Sequence, residues 1–267
     1  MSSQSNLSQD DAASIDDIGK AIEKKFQATG FPTEEQVALT LAEDKWVVTR
    51  NARYQVKNDN RYHEIDVIAK KRVGKSNFTR IELVIECKKQ DRYPWIFVAK
   101  STQIRDHLAV SIAAKGTAIE GFYSLIEKHF KDHYYYLAEA STIHISPYYI
   151  FGNKEEQKTD PIKEAIYQTL NHWFEIYGLE LDIAQKASPQ LTYVYPVIVL
   201  NGRLVSYSVQ GETKDVDHVL YLIDYIPKEP IPLGGMVHSR RPVVIDVVTL
   251  KYFKDYLNLV QTKGVLQ

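Results

Sequence analysis

The sequence predicts a single α/β domain, a mixed central β-sheet flanked by helices and carrying a mostly helical insertion at about residues 102–187. Three observations lead to that expectation. Helical patterning near the start gives way to two strand candidates, His63–Ala69 and Ile81–Cys87, the second holding the apolar run Leu83-Val84-Ile85. A long middle region then repeats apolar residues every four positions, as helices do. After Pro189 the strand patterns return. Those late strands cannot easily be covered on their own, so they are expected to extend the sheet begun earlier.

Taken in order, residues 1–14 are rich in Ser, Gln and Asp and read as a disordered tail, leaving 15–267 for the domain. A helix is expected over Ile15–Gln27, with a break at Gly30-Phe31-Pro32. Thr33 fits the N-cap of a second helix, because Gln36 follows three residues later as in a capping box. Val37, Ala38 and Leu41 form its apolar face, and Glu34 shares that face by its spacing of three and four. Trp46–Thr49 reads as an edge strand, and Lys70–Thr79, basic and containing Gly74, as the loop between the two main strands.

In the middle region Ile104, Leu108 and Ile112 repeat at four, as do Phe122 and Ile126, and Ile162, Ile166 and Leu170. Pro147 and residues 153–160 interrupt the pattern. Val197–Leu200 and Leu204–Val209 flank Asn201-Gly202, a hairpin signal. Strands His218–Ile226 and Val243–Val248 follow, and an amphipathic helix over about Leu250–Val260 closes the chain.

Composition bounds the function classes. With 267 residues, 44% of them hydrophobic and 25% charged, the chain is an ordinary globular protein with a sizeable core. No apolar run is long enough to span a bilayer, and the polar start lacks the apolar stretch of a secretory signal, so the cytoplasm is the expected compartment. The single cysteine, Cys87, excludes an internal disulfide and a Cys-based zinc site. Net charge is −1, so there is no global basic footprint. Local basic patches exist at Lys70-Lys71-Arg72, Lys88-Lys89 and Arg240-Arg241, each of which is first of all a solvated surface.

The chemistry sits at two strand ends. Side chains alternate along a strand, so Glu86 and Lys88 share a face and Cys87 points to the other. Asp66 lies on its own strand, in Glu64-Ile65-Asp66. Side-by-side pairing of the strands brings two carboxylates and an ammonium to one point. Carboxylates that close repel each other and take up protons unless a cation stands between them. A divalent metal there, with Lys88 beside it, is equipped for attack of water on a phosphodiester. An all-oxygen site suits Mg²⁺, with Mn²⁺ as a substitute.

These residues resemble the PD-(D/E)xK superfamily of restriction-endonuclease-like nucleases, in its Mrr-like and Holliday-junction-resolvase-like branches. The likeness covers roughly residues 30–105 and consists of the helical Glu34, the Asp66 of Glu-Ile-Asp, and Glu86-Cys87-Lys88. It implies a restriction-endonuclease-like core with Asp66, Glu86 and the Cys87 carbonyl as metal ligands. It further implies that Lys88 positions and activates the water, and that Glu34 reaches the metal directly or through water. Gln103 resembles the helical Gln that some branches add to the site. The proline that names the motif is absent, His63 and Ile65 standing near Asp66 instead, and no specificity domain is recognisable after Val110.

The implied activity is Mg²⁺-dependent cleavage of DNA, duplex or branched, in restriction, defence or repair. Homodimerisation is compatible with the sequence, and no membrane partner is expected. The alternatives are an inactive nuclease-fold module that binds nucleic acid or serves assembly, and a protein-interaction domain in which the trio is a coincidence. Glu64 reads as an ion-paired neighbour of Asp66 more than as an outer ligand, and His63 as structural. Tyr93-Pro94-Trp95, Tyr134-Tyr135-Tyr136 and Tyr148-Tyr149 could touch nucleic acid but read better as packing.

Overall fold

The computed structural model describes residues 15–27, 29–55, 62–73, 79–100, 112–115, 143–150, 160–184, 190–225, 231–233, 236–238 and 241–263. In chain order the elements are α1 (Ile15–Gln27), α2 (Phe31–Glu43), β1 (Val47–Gln55), β2 (Tyr62–Val73), β3 (Thr79–Lys100), β4 (Ile112–Lys115), β5 (Ile143–Ile150) and α3 (Pro161–Ala184). Then come β6 (Gln190–Ser208), β7 (Thr213–Asp215), β8 (His218–Tyr225), β9 (Ile231–Leu233), β10 (Met236–His238), β11 (Arg241–Thr249), a 3₁₀ turn at Leu250–Tyr252, and α4 (Phe253–Lys263). They make a mixed open sheet with four helices packed against it. None of the described helices is long and apolar enough to cross a membrane.

The sheet forms around β3. On one edge β2 pairs with it antiparallel, from Val73↔Thr79 to Val67↔Ile85. On the other edge β6 pairs with it in parallel, from Thr79↔Leu191 onward. β1 continues the sheet beyond β2, and β11 runs parallel to β6 with β8 antiparallel beyond it. The late strands therefore extend the early sheet, as expected.

Alternation along β3 and β6 sets the two faces. Ile81, Leu83, Ile85 and Cys87 with Tyr195, Val197 and Val199 pack against Val37 and Leu41 of α2 and against Phe253, Tyr256 and Leu257 of α4. Val84, Ile198 and Leu200 face the other way, onto Ile162, Ala165, Ile166, Leu170 and Trp173 of α3. Ile166 and Leu170 are buried, and each such side chain contributes about 1.5–3 kcal/mol relative to exposure. Trp173 adds an anchor, its Nε1–H donating to the Val194 carbonyl at 3.1 Å. Asp160 starts α3: its Oδ1 accepts the N–H groups of Ile162 and Lys163 at 3.1 and 3.0 Å, with Pro161 at the first helical position.

Three expectations are corrected. The middle region, expected to be mostly helical, also holds the strands β4 and β5, and β5 pairs antiparallel with β3. Ile112, the last member of one four-residue repeat, lies in β4. Short apolar coincidences cannot separate helix from strand, whereas Ile162–Leu170 lies in a helix of 24 residues. Gln103, Ile104, Leu108, Phe122, Ile126 and Tyr134-Tyr135-Tyr136 lie outside the described residues.

Asn201-Gly202 is not a hairpin turn either. It falls inside the continuous β6, where Asn201 and Gly202 stand opposite Lys89 and Gln90. Gly202 lacks the positive φ such a turn demands and serves close approach instead: a Cβ there would meet the Gln90 carbonyl oxygen at 2.5 Å. Thr33, finally, is not the N-cap of α2. Gly30 holds that position, and Phe31 and Pro32 open the helix because proline is tolerated in a first turn. Thr33 is buried, and its hydroxyl accepts the Asn201 Nδ2 at 3.3 Å.

Candidate active site

The strands β2 and β3 part where their acids lie. Their ladder ends at Val67↔Ile85, one step short of Asp66 and Glu86. β1 also skips a pairing there, between Arg50↔Val67 and Ala52↔Ile65, and the skipped Asn51 has φ 49°. The Asp66 side chain fills the gap, its Oδ2 accepting the Cys87 N–H at 2.7 Å. N–H and C=O of one strand residue leave by the same edge, so the Cys87 carbonyl is also presented toward β2. The Cys87 thiol lies in the core on the α2 and α4 side, 4% exposed, so alternation places it as expected.

Glu86 and Lys88 face α3. The Lys88 Nζ donates to Glu86 Oε1 and to Gln168 Oε1, both at 2.8 Å. An ammonium has three donors, so two are taken. His172, one helical turn beyond Gln168, places its Nδ1 3.7 Å from Glu86 Oε2. Glu34 arrives from the first turn of α2, whose position is tied to β6 by the Asn201–Thr33 hydrogen bond. Glu34, Asp66, Glu86, Lys88, Gln168 and His172 line one cleft of about 760 Å³.

The acids of this site outnumber the one ammonium, Lys88, that is set among them. Burial, then the Asp66 carboxylate, pushes the Glu86 pKa up to about 8. Burial raises Asp66 as well, against the lowering effect of the Cys87 N–H, and burial with Asp66 raises Glu34. Burial works against the charge of Lys88, but Glu86 more than restores it and its pKa is raised. Burial and the neighbouring His63 and Lys88 bring His172 down to about 4, so its imidazole is neutral near pH 7 and its contact with Glu86 is not an ion pair.

Glu86 Oε2 is buried without a hydrogen-bond donor, and the Asp66 carboxylate raises the proton affinity of both Glu86 and Glu34. A divalent cation answers both conditions, and the donor set is hard oxygen, so the residues fit Mg²⁺ or Mn²⁺. Glu34, Asp66, Glu86 and the Cys87 carbonyl would hold it. Among the described residues no three His, Cys, Asp or Glu side chains are already gathered as a metal centre. Glu86 Oε1 turns to Lys88 instead, and Asp66 Oδ2 to the Cys87 N–H.

The remaining expectations sort themselves. Glu64 is an exposed partner of Asn51 Nδ2 at 2.8 Å and Arg53 Nε at 3.3 Å. Lys70 and Lys71 pair with Glu82 and Asp44, so that patch braces the fold. Trp95 is fully buried. Gln168 and His172 escaped the sequence reading. Their only signal was the spacing of four beside the apolar stripe Ile162, Ile166 and Leu170, which cannot say which strand the helix covers. Gln103 lies outside the described residues; among them, Gln168 is the glutamine whose Oε1 accepts from Lys88. Compared with protein-family models, curated proteins and solved structures, the chain matches none.

Proposed function

We propose that this protein is a metal-dependent nuclease that hydrolyses phosphodiester bonds in DNA, with Mg²⁺ as its cofactor. One observation carries the reading: Glu34, Asp66, Glu86 and Lys88, from three separate elements, line a single cleft with the acids under-neutralised. A solvated surface salt bridge would leave Glu86 exposed, whereas its side chain is 5% exposed and carries a bare buried oxygen.

A divalent cation held by Glu34, Asp66, Glu86 and the Cys87 carbonyl would supply charge for the phosphate and a bound water of lowered pKa. The chain supplies the rest. Lys88 is fixed by Glu86 and Gln168, leaving its third N–H for a water or a phosphate oxygen, where it orients attack and offsets developing charge. Gln168 holds the ammonium without adding charge, and Asp66 fastens the backbone of the Glu86-Cys87-Lys88 segment to its neighbouring strand. Restriction or defence and DNA repair are both settings for such an activity.

The test is a panel of linear, circular, branched and single-stranded DNA and RNA, with Mg²⁺ or Mn²⁺, using the wild type and Glu86→Ala. Cleavage by the wild type alone supports the proposal; cleavage by neither, at any metal concentration, removes it. A second reading, a nuclease-fold module that binds without cutting, has in its favour the engagement of Glu86 by Lys88, which occupies an oxygen that a metal would need. Calorimetry separates the two, because only the nuclease takes up Mg²⁺ in a way that depends on Asp66.

A further inference from the structure

Immediately after Lys88 the sheet carries an excursion that the proposed chemistry does not use. β3 pairs with β6 as far as Gln90↔Gly202 and resumes at Trp95↔Leu204. Between these points four residues, Asp91–Pro94, stand opposite one, Arg203. Both ends are pinned: Gly202 allows its backbone to lie against the Gln90 carbonyl, and Trp95 is fully buried. The Arg92 N–H also reaches Gln90 Oε1 at 3.4 Å. Bulges of this kind re-aim side chains beside active sites. Asp91 and Arg92 are exposed and line the same cleft as Lys88.

The cleft needs such a feature. Glu34, Glu64, Asp66, Glu86 and Asp91 line it against Lys88, Lys89 and Arg92, so acids outnumber bases there and work against a polyanion, and one divalent cation offsets only part of that charge. The Arg92 guanidinium lies 5.2 Å over the Tyr93 ring, so it is braced as a planar fork, the geometry that suits a phosphate. Lys89 is held by Asp91 at 3.1 Å. We infer that the Asp91–Pro94 bulge is a phosphate-binding finger, in which Arg92, braced on Tyr93, holds a backbone phosphate of the nucleic-acid strand lying in the cleft. The inference rests on the nuclease reading and adds to it the element that grips the substrate. Asp91, on the same finger, opposes binding and limits affinity.

The test is fluorescence anisotropy of wild type, Arg92→Ala, Arg92→Lys and Asp91→Asn on a fluorescein-labelled DNA duplex in EDTA, with salt varied between about 50 and 200 mM, beside steady-state cleavage in Mg²⁺. Arg92→Ala should weaken binding several-fold and make the salt slope shallower by about one, the loss in cleavage appearing in KM rather than kcat. Arg92→Lys should keep the slope but bind less tightly than wild type, for want of the fork. Asp91→Asn should bind more tightly, a gain that misfolding cannot produce. Wild-type affinity and slope in Arg92→Ala, with wild-type cleavage intact, would overturn the finger and leave the nuclease reading standing. A wild type that neither binds nor cuts DNA would overturn both.

Discussion

The Cys87 backbone N–H donates to the Asp66 carboxylate at 2.7 Å, at the point where the ladder between their strands has stopped. A side chain thus completes what the backbone leaves open, and one acid both braces the site and is offered to a cation. The two roles come apart under substitution. Asp66→Asn keeps an oxygen for the Cys87 N–H and removes a desolvated charge, so its metal-free stability should equal or exceed the wild type's. Asp66→Ala leaves the N–H unpaired and should be less stable than Asp66→Asn by about 1–3 kcal/mol. Both should lose Mg²⁺ binding. Denaturant melts and calorimetry on the pair check this, and equal stability of the two variants would argue against the brace.

Cys87 should be dispensable for chemistry. Its thiol lies in the core among Ile85 and Val199, on the strand face opposite Glu86, and burial, then the nearby Asp66 and Glu86 carboxylates, push its pKa well up, so it is no nucleophile. Cys87→Val should keep Mg²⁺ binding and most activity at a cost below about 1.5 kcal/mol. Cys87→Ser should bind Mg²⁺ too but lose about 1–3 kcal/mol for an unpartnered hydroxyl. Loss of metal binding in a folded Cys87→Val protein would mean that the strand faces are assigned wrongly.

Glu86 makes the metal-free protein sensitive to pH. Its folded pKa, about 8, lies above the ordinary 4.5, so the folded state holds a proton that the unfolded state has released. The stability it contributes is complete below about pH 4.5 and is lost as pH rises through about 8, at no more than roughly 1.4 kcal/mol per pH unit. Glu34 and Asp66, also raised, act in the same direction. In EDTA the melting midpoint should therefore fall between pH 5 and pH 8, more gently in Glu86→Gln. Mg²⁺ affinity should rise over the same window, because metal and proton compete. A midpoint that climbs with pH in EDTA would contradict the site's electrostatics.

Gln168 is predicted to act by holding Lys88. Gln168→Ala should lower kcat on the order of 100-fold through loss of ammonium position, with Mg²⁺ affinity retained. Gln168→Asn, too short to keep the 2.8 Å contact without movement, should recover little. Full kcat in both would assign Gln168 to packing.

Much of this was legible in the chain, and the limits have physical causes. α1 and the strands β2 and β3 show in local periodicity, and Glu86-Cys87-Lys88 betrays its facing by alternation alone. Asp66 could be placed because a hairpin-like pair of strands leaves few ways to bring its carboxylate near. Asn201-Gly202 misled because glycine serves both a turn and a close backbone contact, and only the position of Gln90 distinguishes them. Gln168 and His172 stayed hidden for a related reason. Their helix advertises its apolar stripe, but that the stripe covers the Glu86–Lys88 face is set by contacts about 80 residues apart. The bulge at Asp91–Pro94 was unreadable because it exists only relative to the register of β6.

The most direct measurement of the central claim is single-turnover DNA cleavage by Lys88→Ala and Lys88→Arg, with Mg²⁺ affinity determined on the same preparations. Lys88 sits 2.8 Å from Glu86 Oε1. If it acts on water and phosphate, Lys88→Ala should cut on the order of 100- to 1000-fold more slowly. Its Mg²⁺ affinity should be equal or higher, since a competing positive charge has left the carboxylates. Lys88→Arg keeps the charge but not the compact ammonium, and should bind DNA and Mg²⁺ yet cut poorly. Wild-type cleavage rates in both variants, with metal bound, would contradict the account.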